Sequence, residues 1–148
     1  YVYRLARESK RMLEATLHGD TQVMEQILEY AHNTETPLLS YNHEIELSAI
    51  VNLVYLSARD QYRVEREDKA GDFIFYPIRE SDDAIILELK VDHTPEEAIA
   101  QIKEKEYALR LKGKLAAKIH HTGRILAVGI GYDKGTKKHR CKVEKLKG

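Results

Sequence analysis

Glu88 and Lys90 stand inside the most apolar run of the chain, Ile85-Ile86-Leu87-Glu88-Leu89-Lys90-Val91. Side chains two apart in a strand share a face, so Glu88 and Lys90 point one way while Leu87, Leu89 and Val91 point the other. A lone buried carboxylate or ammonium is costly, and charges in such strands are paired, metal-bound or functional. A hairpin with its turn centred near Glu80 sets Asp72 opposite Glu88, because both are equally distant from that centre. Directly opposite residues have Cβ atoms about 4.5–5.5 Å apart. Two carboxylates that close repel unless a cation sits between them. An all-oxygen site with room for water suits Mg²⁺ or Mn²⁺ better than Zn²⁺. With a lysine on the same face, the group suits phosphoryl chemistry. A metal polarises a phosphate oxygen and acidifies a water, and the lysine orients that water or offsets developing charge. The plainer alternative is a Glu88–Lys90 ion pair on a half-wet strand, with Asp72 capping a turn.

These residues need a scaffold, and the periodicity supplies one. Leu5, Met12, Leu13 and Leu17 recur at helical spacing up to Gly19, and Asp20 or Thr21 can cap a second helix carrying Val23, Met24, Ile27, Leu28 and Ala31. The polar stretch 33–37 reads as a connection, and a third helix is expected from about Glu44 to Ala58, with Asn42 as its cap. Tyr62 to Glu67 alternates as a strand, and the runs around Phe73–Pro77 and Ala84–Val91 form the hairpin. Thr94-Pro95-Glu96-Glu97 is a capping box with proline at the first helical position, opening a helix expected to reach Lys112. Arg124–Tyr132 and Lys137–Leu146 complete the set as strands, with Cys141 and Val143 facing inward. The expected class is α/β: a mixed central β-sheet flanked by helices, with a parallel pair made by the 94–112 crossover and a helical lead-in at the N-terminus.

The order Gly71-Asp72, strand, Glu88-Leu89-Lys90 resembles the D…ExK signature of the PD-(D/E)XK nuclease superfamily. The resemblance extends through Pro37-Leu38-Leu39-Ser40-Tyr41-Asn42-His43-Glu44, Gln101-Ile102-Lys103-Glu104-Lys105-Glu106-Tyr107 and Ile125-Leu126-Ala127-Val128-Gly129-Ile130. These stretches look like the branch found at the C-terminus of bacterial and archaeal proteins that carry an AAA-ATPase-like domain. The resemblance implies a restriction-endonuclease-like fold and metal-dependent hydrolysis of nucleic acid, DNA above all. It implies Asp72 and Glu88 as ligands of Mg²⁺ or Mn²⁺ and Lys90 as the catalytic lysine. Glu44 matches the acidic residue of the first core helix, and Gln101 the polar residue on the helix after the ExK strand. Tyr107 reads more simply as packing against the sheet. One departure is that Lys69-Ala70-Gly71 leads straight into Asp72, where the family has a longer glycine-containing stretch. The alternative that this motivates is a catalytically inactive nuclease-fold module, binding or regulatory, attached to an ATPase.

Domain organisation follows: residues 1–35 as a helical linker or collar toward an N-terminal ATPase-like domain, and 36–148 as the nuclease-like domain. A chain starting at Tyr1 reads as a piece of something longer. No apolar run approaches the roughly 18 residues of a membrane span. The single Cys141 excludes an internal disulfide framework and suits a cytoplasmic setting. The 24 basic and 24 acidic side chains cancel, yet residues 1–99 hold 10 of the basic and 20 of the acidic ones. The basic remainder includes Lys134, Lys137, Lys138, His139, Arg140 and Lys142, which can track a phosphate backbone, although a solvated face is the simpler reading. Gly129, Gly131 and Gly135 lie along a strand and turn without a Lys-Ser/Thr pair opening a helix, which argues against an ATP site. His120-His121 lacks a spaced partner for a metal and reads as loop. Oligomeric state is not encoded in any of these features.

Overall fold

The computed structural model describes residues 2–35, 44–67 and 72–146. Three helices lead: α1 (Val2–His18), α2 (Thr21–Glu35) and α3 (Glu44–Val54), the last followed by a 3₁₀ turn at Leu56–Asp60. Strands β1 (Tyr62–Glu67), β2 (Asp72–Pro77) and β3 (Ala84–Val91) come next. Helices α4 (Pro95–Glu104) and α5 (Tyr107–Ala116) then connect to β4 (Ile125–Asp133) and β5 (Lys138–Leu146). The five strands form one mixed sheet in the order β1-β2-β3-β4-β5, with β3 and β4 parallel and the other neighbours antiparallel. The parallel pair is joined by the α4–α5 crossover, which the chain needs to return to the same end of the sheet.

Alternation along the strands sorts the core into two layers. Phe73, Phe75, Ile85, Leu87, Leu89, Val128, Ile130 and Tyr132 face α1–α3 and join Met12, Met24, Ile27, Leu28, Ile50 and Val51 in one buried cluster. Ile74, Tyr76, Ala84, Ile86, Ile125 and Ala127 face the other way, against Ile99, Ile102, Tyr107, Leu111 and Leu115 of α4 and α5. The helices of residues 2–35, expected as a linker or collar, thus lie on the sheet and share its core. Glu25 and Glu29, one turn apart on α2, accept hydrogen bonds from the backbone N–H groups of Cys141 (2.8 Å) and His139 (2.6 Å). Edge strands expose such unpaired donors, and here a helix covers them.

Three boundaries differ from the periodicity. The 33–35 stretch continues α2 rather than opening a connection. The third helix stops at Val54, its remaining residues tightening into the 3₁₀ turn. The expected 94–112 helix breaks at Lys105–Glu106, where Glu106 adopts φ 55° and α5 sets off anew. The Thr94 capping box forms as expected, with Thr94 Oγ1 accepting from the Glu97 N–H at 3.1 Å and the Glu97 side chain turned back to the Thr94 N–H. Asn42, the 37–43 part of the family-like stretch and the approach Lys69-Ala70-Gly71 lie outside the described residues.

Candidate metal centre

Asp72 is paired directly opposite Glu88 across the β2–β3 ladder, which is the register set by a turn centred near Glu80. Both side chains take the α4/α5 face of the sheet, as Ile74 and Ile86 do beside them, and both are buried. Lys90 shares that face, two residues on and about 6.6 Å farther along β3, and is half-buried.

The floor around the pair is shaped by glycine. Glu88 and Lys90 are paired on their other side with Gly129 and Gly131 of β4. A Cβ at Gly129 would stand 2.2 Å from the Pro95 carbonyl oxygen, and one at Gly131 2.3 Å from that of His93. The start of α4 therefore rests directly on the backbone of β4, and α4 runs from there past Glu88. At its C-cap, Lys105 donates from Nζ to Asp72 Oδ2 at 3.0 Å and to Glu88 Oε1 at 3.3 Å. Tyr107, two residues later, donates its hydroxyl to Asp72 Oδ2 at 2.7 Å from a fully buried ring.

The electrostatics follow from this crowding. Burial first, then the neighbouring Asp72 carboxylate, push the Glu88 carboxyl up to about 7, against the opposing pull of Lys105. Burial works against the Lys105 charge, but its hydrogen bond to Asp72 and the charges of both carboxylates outweigh that and raise its pKa. Asp72 Oδ1 and Glu88 Oε2 are buried with no hydrogen-bond partner among the described residues. Buried acceptors left without a donor are costly, and carboxylate oxygens of this kind fit a hard divalent cation such as Mg²⁺ or Mn²⁺. Among the described residues no group of three His, Cys, Asp or Glu is placed to hold a metal. Two carboxylates leave the rest of an octahedral shell to water or substrate, which is how Mg²⁺ is commonly held.

The other sequence candidates are distributed differently. Gln101 lies on α4 one turn before Lys105 and is half-buried. Neither Gln101 nor Lys90 hydrogen-bonds to Asp72 or Glu88 among the described residues. Glu44 is the first residue of α3, a helix whose Ile50, Val51 and Val54 belong to the opposite layer, and its side chain lies outside the described residues. The partner of Glu88 is Lys105, so the alternative of a Glu88–Lys90 ion pair gives way to a bridge from the helix above. Lys105 carries no motif of its own, and its residue type and position in the sequence do not single it out. The available signal is its i,i+4 spacing from Gln101 on a helix already expected to cover the strand. Tyr107 packs as expected, but its hydroxyl also serves the site, since a buried tyrosine usually finds a partner for its O–H.

The basic segment divides between the two faces of β5. His139 is buried, not available to a phosphate backbone, and burial pushes its imidazole down to about 4 despite Glu29 beside it. Lys138, Arg140 and Lys142 instead sit opposite Asp133, Gly131 and Gly129, on the same sheet face as Glu88 and Lys90. An open cleft of about 820 Å³ lies at the other end of the sheet, lined by Lys112, Lys118, His121, Arg124 and Lys145 among others. It holds no carboxylate pair, so its size does not make it the reactive centre. Among the described residues no helix is long and apolar enough to cross a membrane. No family model matches this chain, and no curated protein or solved structure is significantly similar to it.

Proposed function

We propose that this chain is a divalent-metal-dependent nuclease domain that hydrolyses phosphodiester bonds of nucleic acid, with DNA as the expected substrate. In this reading the sheet and its helices form a restriction-endonuclease-like fold, belonging to a cytoplasmic protein with an ATPase-like domain. The observation that carries the reading is the direct cross-strand pairing of Asp72 with Glu88, two residues before Lys90 on the same face. Asp72 and Glu88 would hold the Mg²⁺ or Mn²⁺, which supplies polarisation of a phosphate oxygen and an acidified water. Lys90 orients the attacking water and offsets charge as it develops on the phosphoryl oxygens. Gln101, on the helix above the pair, would shape the approach to that centre, whereas Glu44 opens a helix of the opposite layer.

The basic strand supports a polyanionic substrate. Glu88, Gly129 and Lys142 stand in one row across β3, β4 and β5, and Lys90, Gly131 and Arg140 in the next. Two strand spacings, about 9.6 Å, separate the backbones of Glu88 and Lys142 in the first row. A phosphate backbone lying along Lys138, Arg140 and Lys142 would take the same sheet face as the carboxylate pair, with the start of α4 on Gly129 and Gly131 between the two.

Purified protein is expected to nick supercoiled plasmid DNA with Mg²⁺ or Mn²⁺, and Lys90→Ala to abolish nicking with an unchanged thermal transition. Full-rate cleavage by Lys90→Ala would remove this assignment. A second reading, the inactive nuclease-fold module, is favoured by one specific observation: Lys105 already bridges the two carboxylates. Calorimetry with Mn²⁺ separates the two, since an inactive module shows no binding that depends on Asp72 and Glu88.

A further inference from the structure

We propose that Lys105 and the divalent cation exchange at one place: the ammonium neutralises the Asp72–Glu88 pair in the resting protein and leaves when the metal enters. The inference rests on the reading of Asp72 and Glu88 as metal ligands. Each carboxylate commits one oxygen to Lys105, Asp72 Oδ2 at 3.0 Å and Glu88 Oε1 at 3.3 Å. A divalent cation held by the pair would draw on the same two carboxylates, the orphaned Asp72 Oδ1 and Glu88 Oε2 included. An ammonium hydrogen-bonded to both carboxylates already supplies their counter-charge and repels a second cation beside it. The two cations are alternatives.

The anchoring of Lys105 suits a group that moves without its backbone. Its N–H donates to the Gln101 carbonyl at 2.9 Å, at the last turn of α4, so the main chain is held. Its side chain is 36% exposed, whereas those of Asp72 and Glu88 are 3% and 2% exposed. The ammonium therefore reaches in from the protein surface on a flexible four-carbon stem and can withdraw along the same route. Tyr107 is different. Its ring is locked in the core, so its hydroxyl continues to orient Asp72 after the lysine has gone.

The test combines amine labelling with calorimetry on the whole chain. Acylation of Lys105 by an N-hydroxysuccinimide ester is followed by mass spectrometry with and without Mn²⁺, using Lys118 as an internal reference. Mn²⁺ is expected to speed labelling of Lys105 severalfold and leave Lys118 unchanged. In Asp72→Asn, labelling of Lys105 is already faster without metal and does not respond to Mn²⁺. Lys105→Met is expected to bind Mn²⁺ about tenfold more tightly than the wild type, the competitor being gone. Binding by Lys105→Met alone would also support exchange, with the lysine as the stronger occupant. Mn²⁺ bound by the wild type with Lys105 labelling unchanged would overturn exchange and leave the metal assignment standing. Absence of Mn²⁺ binding in both proteins would overturn the two together.

Discussion

Tyr107 donates its hydroxyl hydrogen to Asp72 Oδ2 at 2.7 Å, from a ring buried beneath α5 and against the sheet. The bond ties the first residue of a helix to the first residue of a strand, 35 positions earlier in the chain. It is charge-assisted and shielded from water, the conditions under which one hydrogen bond contributes about 1.5–3 kcal/mol. Tyr107→Phe is expected to lose stability on that scale in urea titration of the metal-free protein. A loss below about 0.5 kcal/mol would show that the hydroxyl contributes nothing net.

Gly129 and Gly113 form a contrasting pair. A methyl group at Gly129 meets the Pro95 carbonyl oxygen at 2.2 Å and Ile99 Cγ1 at 3.0 Å, so α4 must lift off the sheet. Gly129→Ala is expected to cost about 1–3 kcal/mol or more. Because α4 carries Lys105, it should also weaken the Lys105 bridge. Gly113, inside α5, has nothing within 4 Å of the added carbon. Gly113→Ala is expected to stabilise by about 1 kcal/mol through helix propensity. Equal melting shifts for the two variants would contradict this account.

His139 links stability to acid. Burial lowers its imidazole from 6.5 to about 4 in the folded protein. The unfolded chain therefore binds the extra proton first, and stability is full above about pH 6.5 and declines as pH falls toward 4. A shift of this size corresponds to a few kcal/mol. His139→Gln is expected to flatten the stability profile between pH 6.5 and 4, measured by urea unfolding at fixed ionic strength. An unchanged slope would mean that other groups carry the acid sensitivity.

The row Lys138, Arg140 and Lys142 predicts a salt effect. Each phosphate neutralised contributes about −0.9 to the slope of log K against log salt on duplex DNA. Replacing Lys138 and Arg140 together by alanine should weaken DNA binding and make the slope shallower by roughly two. Affinity that falls with an unchanged slope would place the DNA elsewhere.

Much of the scaffold was legible because it is written in local chemistry. The Thr94–Glu97 capping box is a short-range pattern, and it forms as its residues dictate. The pairing of Asp72 with Glu88 was legible for a related reason. A hairpin's register depends on loop length and on the alternation that puts Ile74 and Ile86 on the same face as the carboxylates. The break at Lys105–Glu106 was not legible, since Lys103-Glu104-Lys105-Glu106 contains no glycine or proline and each residue forms helix readily.

By itself, then, the sequence determined the five strands, the two-faced core and the opposition of Asp72 to Glu88, all consequences of short periods and short loops. Only the tertiary structure decided which cation meets the pair. Lys105 and Lys90 are equivalent as chemistry, but α4 seats its N-terminus on the side-chain-free surface of Gly129 and Gly131 and delivers Lys105 to the carboxylates. It also decided that Tyr107 orients Asp72 and that α2 covers the edge of β5 at His139 and Cys141. Each of these depends on packing between elements far apart in the chain, where the close approach of two backbones selects the partner and residue type alone does not.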